Sequence, residues 1–234
     1  MTGASGKTGR ARQARSGQRA AKQVSGAEPV ISRFGRREQL VVAALRLFSE
    51  RPYEDVSIDD IANEANVAHG LLSYYFGGKR GAYLAALQMV QSDLQVLTRP
   101  IRSDGDIAAQ IRGMARRHFE YFRAHPQVLL GLLASAPSDP ETRAIEEATQ
   151  TQAAQALIDL LGLPENPPPM LRTALRGCMG FLQEVTMHWL SHDEHLEIEQ
   201  LVELCFVTTV AAVANAVDHP TPGVLSLTAS SVAS

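Results

Sequence analysis

From residue 36 onward, apolar side chains recur at intervals of three and four, and no segment alternates apolar with polar over the length of a strand. Leu40, Ala43, Ala44, Leu47 and Phe48 form one stripe and predict a helix over 36–51, stopped at Pro52-Tyr53. Ile58, Ile61, Ala62 and Ala65 form a second, shorter stripe. Ser57 is set to cap that helix, and Asp60, three residues on, is the acidic counterpart of a capping box. Asn66 then stands where the chain must turn, because Asn tolerates the left-handed conformation of such turns. Val67 plugs the corner. A third helix is predicted over 68–76, with Leu72 and Phe76 inward and Gly77-Gly78 at its end. Tyr83, Leu84, Leu87, Val90, Leu94 and Leu97 mark a long helix over 79–98, closed by Pro100. Ile107, Ile111, Met114, His118 and Phe122 mark the next, over 107–124. Further helices are predicted over 127–135, over 141–161 with Asp139 as its cap, over 170–191 after a run of three prolines, and over 196–217. Pro220 and Pro222 are expected to end order, leaving 218–234 as a disordered tail. The fold class is all-α, with about nine helices.

Charge changes this picture at the amino end. The chain carries a net charge of −3, yet residues 1–37 hold nine Lys or Arg against the single acid Glu28. Residues 1–33 are rich in Gly, Ser, Ala, Gln and Arg and have few large apolar side chains, so they are expected to form a disordered basic arm. Residues 36–80 hold six basic and seven acidic side chains, so attraction to phosphate has to come largely from that arm. Cys178 and Cys205 both lie in apolar helical context and make no disulfide framework, which suits a reducing cytoplasm. No run of eighteen apolar residues predicts a membrane span, and the basic start lacks the apolar core of a secretory signal. His188, His192 and His195 have a spacing compatible with metal, but Asp193 and Glu194 between them make a charged, solvated connection the better reading. No nucleophile–base–orienter set and no phosphate-binding glycine loop stands out, so neither an enzyme nor a cofactor is expected.

Two short helices joined by a tight turn, with a helix before them, make a helix-turn-helix whose second helix fits the major groove. Ser57, Ile61, Ala62, Ala65 and Val67, followed by Gly70, Leu72, Tyr75, Phe76 and Lys79, give this stretch its signature. On these residues the chain resembles the amino-terminal DNA-binding domain of TetR-family transcriptional regulators over about residues 36–85. Asn66, Ala68, Leu71 and Ser73 depart from the Gly, Ser, Thr and Tyr usual at those places. The resemblance implies a helix-turn-helix domain over 34–80 and a helical effector-binding and dimerisation domain over 81–217.

The resemblance also implies sites. Ser57, His69, Gly70, Leu71, Ser73, Tyr74, Tyr75 and Lys79 occupy the family's DNA-facing positions. Leu71 suits a thymine methyl, His69 and Ser73 suit base edges, and Lys79 and Ser57 suit phosphates. An effector cavity is implied with candidate lining residues Met114, His118, Tyr121, Phe122, Leu129, Leu132, Leu133, Cys178, Phe181 and Leu182. The two last long helices carry more apolar positions than one internal core needs. They are expected to pair with a second copy through Leu182, Trp189, Leu201, Cys205, Thr208 and Ala212. The function expected is a homodimeric, cytoplasmic repressor released from a palindromic double-stranded operator by a small, largely apolar effector, with no membrane partner. Two rivals remain at this level: a nucleoid-type DNA binder without effector, and a helical protein, carrier or enzyme, that only binds small molecules.

Overall fold

The computed structural model describes residues 35–133, 139–192 and 195–232. Among these residues every regular element is helical. In chain order they are α1 (Arg36–Glu50), α2 (Ile58–Glu64), α3 (Gly70–Phe76), α4 (Lys79–Leu97), α5 (Ile107–Ala124), α6 (Pro140–Leu161), α7 (Pro169–Ser191), α8 (Ile198–Ala216) and α9 (Pro222–Val232). A π-helical segment, Val128–Leu133, stands where an α-helix over 127–135 was expected. The basic arm over 1–33 and the end of that expected helix lie outside the described residues.

Local chemistry sets the element ends. The Ser57 hydroxyl accepts from the Asp60 amide at 3.0 Å, and the Asp60 carboxylate accepts from the Ser57 amide at 2.9 Å, so the capping box is complete. Asn66 adopts φ 52°, the left-handed turn that its short polar side chain permits. Gly77 closes α3 at φ 73°, where a Cβ would be strained. Asp139 caps α6, its carboxylate accepting from the amides of Glu141 and Thr142 at 3.0 Å each.

Three apolar cores hold the helices. The first runs from Leu40, Phe48, Ile61 and Leu72 through Tyr83 and Leu87 to Phe122, Leu129 and Leu132. The amino-terminal helices thus share their core with the bundle behind them. Gly131 is a point of close approach between the two parts: a Cβ there would lie 2.0 Å from the Ser49 carbonyl oxygen of α1. Tyr83 spans the same junction, its hydroxyl donating to the Leu132 carbonyl at 2.8 Å. The second core gathers Ile111, Leu157, Leu161, Leu171, Phe206 and Val213, and the third gathers Phe119, Leu201, Val202 and Cys205.

The tail expectation needs correcting. Residues 222–232 form α9, with Val224 and Leu227 buried in the second core. Pro222 opens this helix instead of ending order, because a missing amide hydrogen does no harm in the first turn. Thr221 supports the start, its hydroxyl accepting from the Val224 amide at 3.3 Å and donating to the Leu161 carbonyl at 2.7 Å. A small-residue sequence with two prolines hides a helix that two buried side chains suffice to dock.

α8 is long and apolar enough to cross a membrane by length and composition alone. Its acidic residues tie it to protein instead. Glu203 accepts two hydrogen bonds from Arg112 (2.5 and 3.0 Å), and Glu199 accepts two from Arg116 (both 2.7 Å), both arginines lying on α5.

Candidate nucleic-acid interface and effector cavity

α3 has one buried residue, Leu72. Gly70, Ser73, Tyr74 and Tyr75 are exposed, and Tyr74 most of all, at 79 %. A Cβ on Gly70 would meet nothing within 4 Å, so the helix start is open to close approach. His69, just before α3, is exposed and its Nδ1 lies 2.7 Å from an Asp59 carboxylate oxygen on α2. That bond orients the ring and leaves Nε2 turned away from Asp59. Leu71 is half-buried against the first core, and Tyr75 packs near Tyr74 and Phe76, so both brace α3 while keeping an outward edge. Ser57 is exposed but its hydroxyl is engaged in the cap. The Lys79 ammonium donates to the Tyr53 carbonyl at 2.9 Å and sits 4.3 Å from the Tyr53 ring centre. It therefore ties α4 to the turn before α2 as well as standing beside α3. The acids of this region are mostly engaged: Arg46 bonds Glu50 (3.2 Å) and Glu64 (2.5 Å), and Arg51 reaches Asp60 at 3.3 Å.

Behind the reader, α4 to α8 and the π segment enclose a cavity of about 180 Å³. Met114, His118, Phe122, Leu129, Leu133, Cys178 and Leu182 line it, as expected from sequence. Three expected lining residues do not. Tyr121 and Leu132 pack in the first core, and Phe181 packs against the third. On α5, Tyr121 lies one turn beyond His118, where it packs beside Phe122 and His125 against the first core. The sequence reading missed the walls from α4 (Leu87, Val90, Gln91, Leu94) and α6 (Ile145, Glu146, Thr149, Gln150). Burial holds the His118 ring neutral, with its pKa lowered to about 4, and its Nε2 lies 3.0 Å from the Thr186 hydroxyl. Burial raises the thiol pKa of both cavity cysteines, that of Cys205 to about 12, so neither carries a reactive thiolate at neutral pH.

One polar link joins the cavity wall to the reader. Arg80, in the first turn of α4, donates through Nη2 to Asp139 and to the Thr142 hydroxyl (3.0 Å) at the start of α6. Its Nη1 is buried and has no hydrogen-bond partner among the described residues. The Asp139 carboxyl is held below its ordinary pKa, first by the Thr142 amide and then by the nearby Arg80 charge.

Residues 40–86 match the profile of bacterial regulatory proteins of the tetR family. Over these residues the chain carries the amino-terminal domain of the TetR family. It is 24 % identical over 179 residues to the transcriptional activator FasR of Mycolicibacterium smegmatis, covering 74 % of this chain and 80 % of FasR. A TetR-family regulator from Streptomyces coelicolor superposes with a TM-score of 0.68 at 26 % identity, over 85 % of this chain and 88 % of that one. FadR from Bacillus subtilis, solved with stearoyl-CoA, shares the fold at a TM-score of 0.59 and 17 % identity, over 76 % and 97 % of the two chains.

The residues expected at a pairing face are divided in the structure. Leu201 and Cys205 are buried inside the protomer, in the third core against Phe119. Leu182 turns to the cavity, and Trp189 meets Phe119 edge-on at 5.9 Å. Thr208 and Ala212 lie at the margin, half-buried. The outward stripe of α8 is instead Leu204 (46 % exposed), Val207 (45 %) and Ala211, with Thr208 beside it. α8 is apolar on nearly all sides, so periodicity alone does not say which of two adjacent stripes faces α5 and α7. At the end of α7, the His188 and His192 rings stack at 4.1 Å, and the His192 Nδ1 lies 2.9 Å from the His188 carbonyl. Among the described residues no group of three potential ligands converges for a metal. Asp193 and Glu194 lie outside the described residues.

Proposed function

We propose that this chain is a cytoplasmic, homodimeric TetR-family repressor that binds a palindromic operator through α3 and leaves it when an apolar effector fills the cavity. The observation that carries the reading is α3 itself: seven residues that bury only Leu72 and leave Gly70, Ser73 and Tyr74 exposed, with His69 exposed just ahead of them. An uncharged helix of this kind reads base edges while phosphate attraction comes from elsewhere. Pairing through the Leu204–Val207–Ala211 stripe would set two copies of α3 against half-sites about one helical turn apart. The alternative of a nucleoid-type binder without effector predicts a filled interior, and the cavity favours the effector reading over it.

Release follows from differential binding. α4 lines the cavity with Leu87, Val90 and Leu94 and starts at Lys79 and Arg80, next to the end of α3. An effector that prefers a wider spacing of α4 and α6 would strain the Arg80–Asp139 link and tilt the reader. It shifts the balance only by its preference for that state. Activation is the second reading, favoured by the description of FasR as an activator.

Selection from a random duplex pool with the full chain tests the DNA part. A palindromic consensus with two half-sites is expected. Recovery of duplexes without a consensus would leave only general DNA affinity and end the operator reading.

A further inference from the structure

Among the described residues one acidic side chain, Glu146 of α6, lines the cavity; no Lys or Arg of those residues lines it, and His118 is neutral there. The other polar groups of the lining are amides and hydroxyls, those of Gln91, Thr149, Gln150 and Gln183 among them. Among the described residues Glu146 makes no hydrogen bond and no ion pair, although Arg143, an exposed neighbour one turn back, is close enough to act on its charge. Partial burial raises the Glu146 pKa, the mark of a carboxylate short of solvent and of partners.

Three kinds of head group can be weighed against this wall. A carboxylate or phosphate drawn into the cavity would face Glu146 with no cation inside to answer it. An uncharged effector would cover the carboxylate and leave it unpaired, which is unfavourable. A cation would supply the missing partner where water is already thin, and the apolar walls from Leu87, Leu94, Met114 and Leu133 would take its body. We propose that the effector is an apolar cation, an alkyl- or arylammonium, whose charged head is met by Glu146. This rests on the reading of the cavity as the effector site.

Calorimetry on the full chain tests it with three probes of similar size: benzyltrimethylammonium, its uncharged carbon isostere neopentylbenzene, and 3-phenylpropanoate. The ammonium is expected to bind roughly tenfold or more tightly than either other probe. Glu146→Gln should shrink that preference to less than about threefold, and Glu146→Asp, which keeps the charge, should restore most of it. The thermal melt of each variant checks that it is folded. If the hydrocarbon or the carboxylate binds as well as the ammonium, or if the preference survives in Glu146→Gln, the cationic assignment is wrong and the effector cavity stands. If none of the three binds the wild type, the cavity is not an effector site of this kind and both readings fall.

Discussion

At the scale of the residue, Tyr74 and His118 do opposite things with their surroundings. Tyr74 is exposed by 79 % on the outward face of α3 and serves no core. Tyr74→Ala should therefore weaken binding to the selected operator by about 1–3 kcal/mol while leaving the melting temperature in place, as read by fluorescence anisotropy and a thermal melt. Loss of both together would mark Tyr74 as a packing residue. His118 is enclosed, with a pKa lowered from 6.5 to about 4 by burial. The unfolded chain takes up this proton first, so the stability that neutral His118 contributes is complete above about pH 6.5 and is lost as pH falls toward 4. His118→Gln should show a smaller loss over that window in urea midpoints, while carboxylates such as Asp60, Asp139 and Glu199, all with lowered pKa values, act in both proteins alike. Equal pH slopes would mean that His118 charges freely in the fold. Both residues were legible in sequence, His118 as a polar position on an apolar stripe and Tyr74 as an aromatic on a groove-facing turn. The Asp59 partner of His69 was not, because contact across the turn depends on the helix crossing rather than on spacing.

At the scale of the element, helix starts and stops were readable where a side chain closes on its own backbone. Ser57, Asn66, Gly77 and Asp139 each act within four residues, and each holds in three dimensions. What was not readable was the face of a helix without a clear period. α6 carries TQTQAAQA in its middle, and its cavity residues Ile145, Thr149 and Gln150 are assigned only by packing against α4 and α7. α8 fails from excess, being apolar on adjacent stripes. The π segment depends on a close approach that no local signal announces: Gly131 lies against the Ser49 carbonyl. Gly131→Ala must push that contact apart and should destabilise the fold by about 1–3 kcal/mol, read as a lower urea midpoint. An unchanged midpoint would mean that α1 and the π segment can part more easily than the lack of room for a Cβ at Gly131 implies.

At the scale of the whole molecule, charge is unevenly spread: residues 36–80 hold six basic and seven acidic side chains, whereas residues 1–37 hold nine basic and one acidic. Of the six cations in residues 36–80, Arg46, Arg51, Lys79 and Arg80 are tied to acids or carbonyls. Deleting residues 1–33 should flatten the dependence of DNA affinity on salt, since each lost phosphate contact removes about 0.9 from the log–log slope. An unchanged slope would assign phosphate attraction to the helical domain instead. The effector reading and the pairing reading both hang on α3 acting twice per assembly. The most direct test is an anisotropy titration of the full chain on a duplex with both selected half-sites and on one with a single half-site. The account predicts two protomers per intact operator, with affinity falling on the order of a hundredfold when one half-site is scrambled. Equal affinity for the two duplexes, with one protomer bound to each, would contradict it.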